Sequence, residues 1–374
     1  MINFDNSATT YPMPPTVSRA VYNAVRYYGG NPGRSGHKLS VKTSEMVYLV
    51  RESAAKLFDA ETENVVFTLN CTHALNMAIK GSLRQGDHCI ISSLEHNSVS
   101  RPVYAMSKKG ISFSVLEVDD DDEVTLRRLK ALIRENTRAV IMTVCSNVTG
   151  QILPYREIGR LCRKKGIVYI ADAAQAAGVL PLSMNDGFDF LCMSGHKGLY
   201  GPTGTGLLIS SGRFSLSTII EGGTGATSLE LEQTGFLPEQ LESGTVNTVG
   251  IMGLGEGIKF VKSRGINKIH SYEMKLTETF ITGLRSQRDI KIIRGTGNYS
   301  AVVSFNKDGV DANELAEYLS NRGIYLRGGY HCAGLAHKYL GTQGSGTLRF
   351  SPSVMNSQSE VYMLLNALKK YKIQ

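Results

Sequence analysis

The sequence predicts an α/β protein: a mostly parallel seven-stranded sheet covered by helices, joined to a smaller α+β C-terminal lobe. Three observations carry this expectation. Between residues 65 and 209, seven short apolar runs alternate with amphipathic helical stretches, the pattern of a sheet buried on both faces. The chain has 374 residues, 42% of them apolar, more than one domain usually holds. No internal repeat or low-complexity linker interrupts it, so the two lobes, expected at 15–255 and at 1–14 plus 256–374, should pack as one body.

In chain order, Asn6-Ser7-Ala8-Thr9-Thr10-Tyr11-Pro12 reads as a polar turn, and Pro14-Pro15 starts a helix to about residue 28. Residues 29–37 are too rich in glycine to be helical and form either a ligand-contacting loop or a plain connector. Ser40 reads as the N-cap of a long helix through 58. Strands are expected at 65–69, 88–92, 113–118, 139–144, 168–171, 190–193 and 206–209, with helices starting near 72, 98, 125 and 155. Helices at 249–262 and 266–285 bridge to the small lobe. There, strands are expected at 290–293, 301–305, 324–326 and 347–350, and helices at 312–321 and 357–370.

Composition narrows the function classes. Lys and Arg total 41 against 33 Asp and Glu, a net charge of +8, but the basic residues are scattered. Without a basic stripe this argues against nucleic-acid binding and for a general field that draws in anionic ligands. No signal-peptide pattern opens the chain and no apolar run reaches 18 residues, so a soluble cytoplasmic protein without a membrane role is expected. The six cysteines lie far apart with no CxxC pair, which suggests neither a zinc knuckle nor a disulfide framework. Cys89, Cys145 and Cys192 sit in apolar runs as small buried hydrophobes. Cys332 differs, lying in a loop among Gly328, Gly329, His331 and Gly334. The acidic run 119–123 suits the positive N-terminus of the helix that follows it, and no metal site is expected.

The chemistry-bearing residues follow the strands. Ser194-Gly195-His196-Lys197 closes the run 189–193, and a lysine pressed against a sheet end is partly desolvated, which lowers its pKa and frees a nucleophilic amine for a carbonyl cofactor. Asp172 ends the preceding run, where it either caps a helix or holds a pyridine nitrogen protonated; with Lys197 at the next strand end the second reading gains weight. Asn70-Cys71-Thr72 joins strand to helix and reads equally as a phosphate cradle or an N-cap. His96 stands where it would stack on a flat ring or merely cap a helix.

As an ordered set, Asp172-Ala-Ala-Gln175, Ser194-Gly-His-Lys197, Glu242-Ser-Gly-Thr245 and Arg327-Gly-Gly-Tyr-His-Cys332 resemble the class V aminotransferase family of pyridoxal-phosphate enzymes of fold type I. Within it the chain is similar to cysteine desulfurases and selenocysteine lyases of the SufS-like branch, which serves iron-sulfur cluster assembly. The resemblance implies pyridoxal 5'-phosphate as cofactor, with Lys197 as its Schiff-base lysine, Asp172 on the ring nitrogen and Gln175 on the phenolic oxygen. His96 would stack on the ring, and Asn147 would lie near the cofactor oxygen and the substrate. Thr72, Ser194 and His196 would hold the phosphate, helped by Thr245 of a second subunit, which makes a homodimer expected. Cys71 would lie at the phosphate where many relatives carry threonine, and backbone donors would remain there. Arg349 would clamp the substrate carboxylate, with Arg327, His37 and Ala8 also at the substrate.

Cys332 aligns with the nucleophile that takes sulfur from L-cysteine as a persulfide, leaving L-alanine. The loop around it would supply motion, and His331 with Arg327 a cationic field. A protein sulfur acceptor is a possible partner. Tyr330 departs from the pattern, standing where the branch usually has histidine. Selenocysteine lyase or another β-elimination remains an alternative, as does a non-catalytic scaffold for a sulfur acceptor.

Overall fold

Side chains along the central strands alternate between two apolar layers, and that alternation accounts for the sheet's burial on both faces. In the computed structural model, which describes residues 1–33, 36–225 and 227–371, Ile90, Val140, Met142, Tyr169, Ala171 and Leu191 point into one layer. Cys89, Ala139, Ile141, Val168, Ile170 and Cys192 point into the other. The first layer is closed by helices Lys38–Leu57, Tyr155–Lys165 and Thr248–Arg264, the second by Cys71–Ser82 and Asn97–Ser107.

Across the sheet the strands run Val65–Thr68, Gly206–Ser210, Phe190–Ser194, Val168–Asp172, Thr137–Thr143, His88–Ser92 and Ser112–Leu116. Gly206–Ser210 alone is antiparallel to both neighbours, so the sheet is seven-stranded and mostly parallel as expected. The parallel strands place their carboxyl ends along one edge, where Thr143 pairs in register with Asp172 and Asp172 with Cys192. Sites in such sheets gather at that edge.

A separate core forms from Phe4, Phe280, Phe305, Phe350, Leu276 and Leu364. It lies beside the three-stranded antiparallel sheet of Ile290–Ile293, Val303–Lys307 and Leu348–Phe350 and helices Ile266–Arg285 and Gln358–Lys370. Helix Thr248–Arg264 runs across residue 255, where the sequence puts the lobe boundary, and packs on Pro15–Tyr27 and Lys38–Leu57.

Several local expectations change. Ser40 is not an N-cap: the long helix starts at Lys38, and the His37 ring caps it by accepting from the Ser40 backbone N–H at 3.2 Å. The Ser40 hydroxyl instead donates to the Asn31 carbonyl, which ties the glycine-rich loop to the helix. The strand expected at 301–305 begins two residues later, because Ser300 N–H donates to the Gly150 carbonyl at 2.7 Å and the Thr277 hydroxyl takes the Ala301 carbonyl. Some elements have no counterpart in the sequence reading, among them two near the chain's ends. Ile2–Asn3 pairs in parallel with Ile324–Tyr325, and Gly334–Tyr339 forms a helix in the loop that follows Cys332.

Candidate active site

The carboxyl edge of the sheet and the C-terminal sheet enclose a cavity of about 290 Å³, within the range of small-molecule pockets. Lys197, Asp172, Gln175, Ser194 and His196 reach it from two adjacent strand ends, and Cys71, Thr72 and His96 from the helices beyond. The far wall comes from Asn147, Arg327, His331 and Arg349, with Ala8 from the N-terminal segment. Residues 197 to 200 turn tightly against the strand that precedes them. A Cβ at Gly198 would collide with the Ala177 carbonyl, so the glycine after Lys197 lets the two strand ends close together.

Lys197 is half-buried, and desolvation pulls its ammonium below the ordinary value. Asp172 and Cys71 oppose that shift, while Arg349 and Arg327 add to it. Asp172 is buried; its Oδ1 accepts from Ala174 N–H at 2.9 Å and from the Cys71 thiol at 3.4 Å. The thiol of Cys71 thus has a carboxylate partner. Gln175 donates from Nε2 to the Ser7 carbonyl at 3.0 Å, which links the opening turn to the site.

His96 caps a helix and also lines the cavity. Its Nδ1 accepts from Ser98 N–H at 3.1 Å and caps the helix Asn97–Ser107, while the ring lines the cavity. That bond leaves the ring proton on Nε2. Ser98 also bonds the Thr72 hydroxyl at 2.9 Å, so one serine joins two expected site residues. Asn70, not Thr72, caps the helix Cys71–Ser82, accepting from His73 N–H at 2.9 Å. Burial, reinforced by the neighbouring Lys197, pushes His196 down to about 4. Burial also takes His96 to about 4, against the pull of Asp172. Both rings are neutral at pH 7.

Arg349 is the largest fully buried side chain. Its Nη2 donates to Asp5 at 2.7 Å and its Nη1 to the Asn147 carbonyl at 3.0 Å, while Nε has no protein partner. Asp5 has no local sequence signal, since its partner lies 344 residues away.

The Cys332 loop is held rather than loose. The Cys332 carbonyl accepts from Asn97 N–H at 2.7 Å, the His331 carbonyl from Asn147 at 2.8 Å, and the Tyr330 hydroxyl donates to the Gln343 carbonyl at 2.9 Å. His331 and Cys332 sit at φ of 47° and 55°, a left-handed turn that these bonds maintain. Cys332 is exposed at the rim beside Arg327, whose Nη2 is 3.6 Å from Sγ. His331 supplies no charge. It is buried, its Nε2 donates to the Thr347 carbonyl at 3.0 Å, and burial with Arg349 nearby drives it far below the ordinary value. The cationic field at the thiol is therefore that of Arg327 alone of the pair.

Two expected residues lie outside this chain's cavity. Thr245 is exposed in a separate depression with Asn247 and His73, and His37 is occupied as a helix cap.

The donor set fits a pyridoxal-type cofactor. The cavity holds a carboxylate and an amine from neighbouring strand ends, and four of its residues keep buried atoms without protein partners: His196 Nδ1, Asn147 Oδ1, His331 Nδ1 and Arg349 Nε. A polar, partner-poor cavity of this kind suits an anionic, hydrogen-bonding ligand. Among the described residues no group of three or more His, Cys, Asp or Glu side chains is placed to hold a metal ion. No described helix is long and apolar enough to cross a membrane.

Comparison with known proteins agrees with this geometry. The model of the family described as Aminotransferase class-V matches residues 2–364. A probable cysteine desulfurase of Methanothermobacter thermautotrophicus is 32% identical over 98% of this chain and 93% of its own length. One from Pyrococcus abyssi is also 32% identical, over 99% and 94%. The apo cysteine desulfurase of Thermococcus onnurineus NA1 superposes with a TM-score of 0.91 at 31% identity, covering 99% of this chain and 94% of that one. The cysteine desulfurase CsdA of Escherichia coli gives 0.87 at 28% identity, covering 98% and 94%.

Proposed function

The chain belongs to the aminotransferase class-V family, and from that premise we propose that it is a pyridoxal-phosphate-dependent cysteine desulfurase converting L-cysteine to L-alanine. The observation that carries this reading is the meeting of Lys197, Asp172 and Arg349 in one cavity with the Cys332 thiol exposed at its rim. When bound, pyridoxal phosphate supplies an aldehyde that captures an amine and a ring that takes up charge from the neighbouring carbon.

The protein's residues supply the rest. Asp172 would hold the ring nitrogen, Gln175 the phenolic oxygen, His96 would cover the ring, and Thr72, Ser194 and His196 would take the phosphate. Arg349 orients the substrate carboxylate through its free Nε and second-side protons. Lys197, whose burial favours the neutral amine, accepts the α proton of the substrate. The Cys332 sulfur, as thiolate, attacks the substrate sulfur. The new S–S bond forms as the substrate C–S bond breaks, the carbon is protonated, and alanine leaves a persulfide on Cys332.

Arg327 accompanies that thiolate. Because the loop backbone is pinned by Asn97 and Asn147, rotation of the Cys332 side chain rather than loop displacement brings sulfur inward. A homodimer is part of the proposal. It is supported by Thr245 being exposed away from its own cavity and by the uncovered apolar side chains of Leu229, Leu231 and Phe236 in the same region. The exposed rim position of Cys332 also suits transfer of sulfur to a protein acceptor.

The test is alanine and sulfide production from L-cysteine, beside alanine and selenide from L-selenocysteine, with and without a thiol reductant. Wild type should form alanine, and Cys332→Ala should lose sulfide release from cysteine. Selenide release surviving in Cys332→Ala would mark a β-elimination that needs no cysteine nucleophile. Lys197→Ala should lose the yellow absorbance that borohydride removes from wild type. A wild-type protein that stays colourless with excess pyridoxal phosphate would overturn the reading.

A further inference from the structure

Asp172 is surrounded by sulfur in a way that its role at a ring nitrogen does not require. In register beside it on the next strand is Cys192, and from the helix Cys71–Ser82 the Cys71 thiol comes within 3.4 Å of Oδ1. The Ala174 N–H, at 2.9 Å, takes the same oxygen. No protein donor reaches Oδ2 among the described residues, and Asp172, only 3% exposed, lines the cavity. Both donors thus engage one oxygen and leave the other for a ligand.

Both thiols keep their protons. Burial raises Cys71 well above the ordinary value, and the Asp172 charge adds to it; the same two causes act on Cys192. A protonated thiol can only serve this carboxylate as a donor, and a weak one. A weak donor steadies the carboxylate while withdrawing little of its charge.

Resting on the proposed function, we propose that Cys71 is a positioning residue for Asp172: by donating to Oδ1 beside Ala174 N–H it turns Oδ2 toward the ring nitrogen, and it is not a phosphate ligand. Its action passes through the ring nitrogen alone, and that separates it from any role at the phosphate end of the same helix.

The full chain is titrated with pyridoxal 5'-phosphate, with its carbocyclic analogue in which carbon replaces the ring nitrogen, and with pyridoxal, which lacks the phosphate. The readouts are affinity and unfolding midpoint. Cys71→Ala should weaken pyridoxal phosphate about fivefold, as expected for loss of a weak hydrogen bond to a charged acceptor. The loss should persist with pyridoxal and vanish with the carbocyclic analogue. Cys71→Ser, which restores a donor, should stay within twofold of wild type. Cys71→Val, of similar bulk and without a proton to give, should repeat the alanine result if Cys71→Ala does not fold. A loss that persists with the carbocyclic analogue and disappears with pyridoxal would make Cys71 a phosphate ligand and overturn the inference. So would unchanged pyridoxal phosphate affinity in both donor-less variants. Wild type that binds none of the three would overturn the functional reading, and this inference with it.

Discussion

Replacing Arg349 with lysine separates charge from geometry at the substrate end of the cavity. Lysine keeps the positive charge but offers one ammonium where the guanidinium now divides its work. Nη2 is held by Asp5 at 2.7 Å, Nη1 by the Asn147 carbonyl at 3.0 Å, and Nε is buried without a partner. A carboxylate meeting this fork gains two charge-assisted bonds, each worth about 1.5–3 kcal/mol, and lysine keeps one of them. The loss is about 2 kcal/mol, roughly 30-fold in kcat/KM, and it should fall mainly on KM because the carboxylate is held throughout the reaction. The assay is steady-state alanine formation from L-cysteine and from L-cysteinamide, whose neutral amide cannot use the fork. On cysteinamide the variant should lie within about threefold of wild type. Equal losses on both substrates would mean that the substitution disturbs the cavity in general, and no loss on cysteine would mean that Arg349 does not hold the carboxylate. Either result refutes the reasoning.

Three further outcomes follow from buried charges. Burial raises the Glu273 carboxyl from 4.5 to about 8, so the native state binds a proton that the unfolded chain gives up, and stability falls as pH rises from about 4.5 to about 8. Glu273→Gln should flatten that fall by as much as a few kcal/mol at pH 8; urea unfolding at pH 5 and 8 with an unchanged difference would exclude it. His196 has the opposite sign: its native value near 4 lies below the ordinary 6.5, so stability is lost as pH falls from about 6.5 toward 4. His196→Gln should show a shallower loss between pH 6.5 and 4.5, about 1–2 kcal/mol after allowing for its partial exposure, and a parallel decline would contradict this. Glu242 pairs with Arg51 at 2.7 Å and accepts Phe67 N–H at 2.6 Å, both partners nearly enclosed. Glu242→Ala should therefore cost about 3–5 kcal/mol in urea unfolding, and a loss below about 1 kcal/mol would show that water rescues the arginine.

The seven central strands were legible because each is short, apolar and buried on both faces, so local composition alone marks it. His37 was not legible as a cap, since an imidazole falls outside the Ser, Thr, Asn and Asp pattern that marks a helix start and Ser40 stood three residues on. Ile2–Asn3 was too short to show any period, and its partner is at Ile324–Tyr325. At the site, Lys197 and Asp172 stood out by ending consecutive strand runs. Ser98, Asp5 and the bond between Cys71 and Asp172 did not, because each depends on contacts across 26, 344 and 101 residues. The charge at His331 was misread for a related reason. Sequence shows a histidine beside a cysteine, but only packing shows that its ring is buried against Thr347 and Arg349 and stays neutral.

What sequence could least convey is how these groups act on one another. Arg349 and Arg327 share a cavity with Lys197, and both disfavour its protonation, as burial does. On the proposed function, a substrate carboxylate settling on Arg349 would offset much of that positive field in the shared cavity. The event that delivers the substrate therefore raises the proton affinity of Lys197 at the moment an α proton has to be taken. Before it, burial and the same cations favour the neutral amine that combines with a carbonyl. On the proposed function, one pair of arginines would thus serve both states of the lysine, with Arg349 buried and held by Asp5.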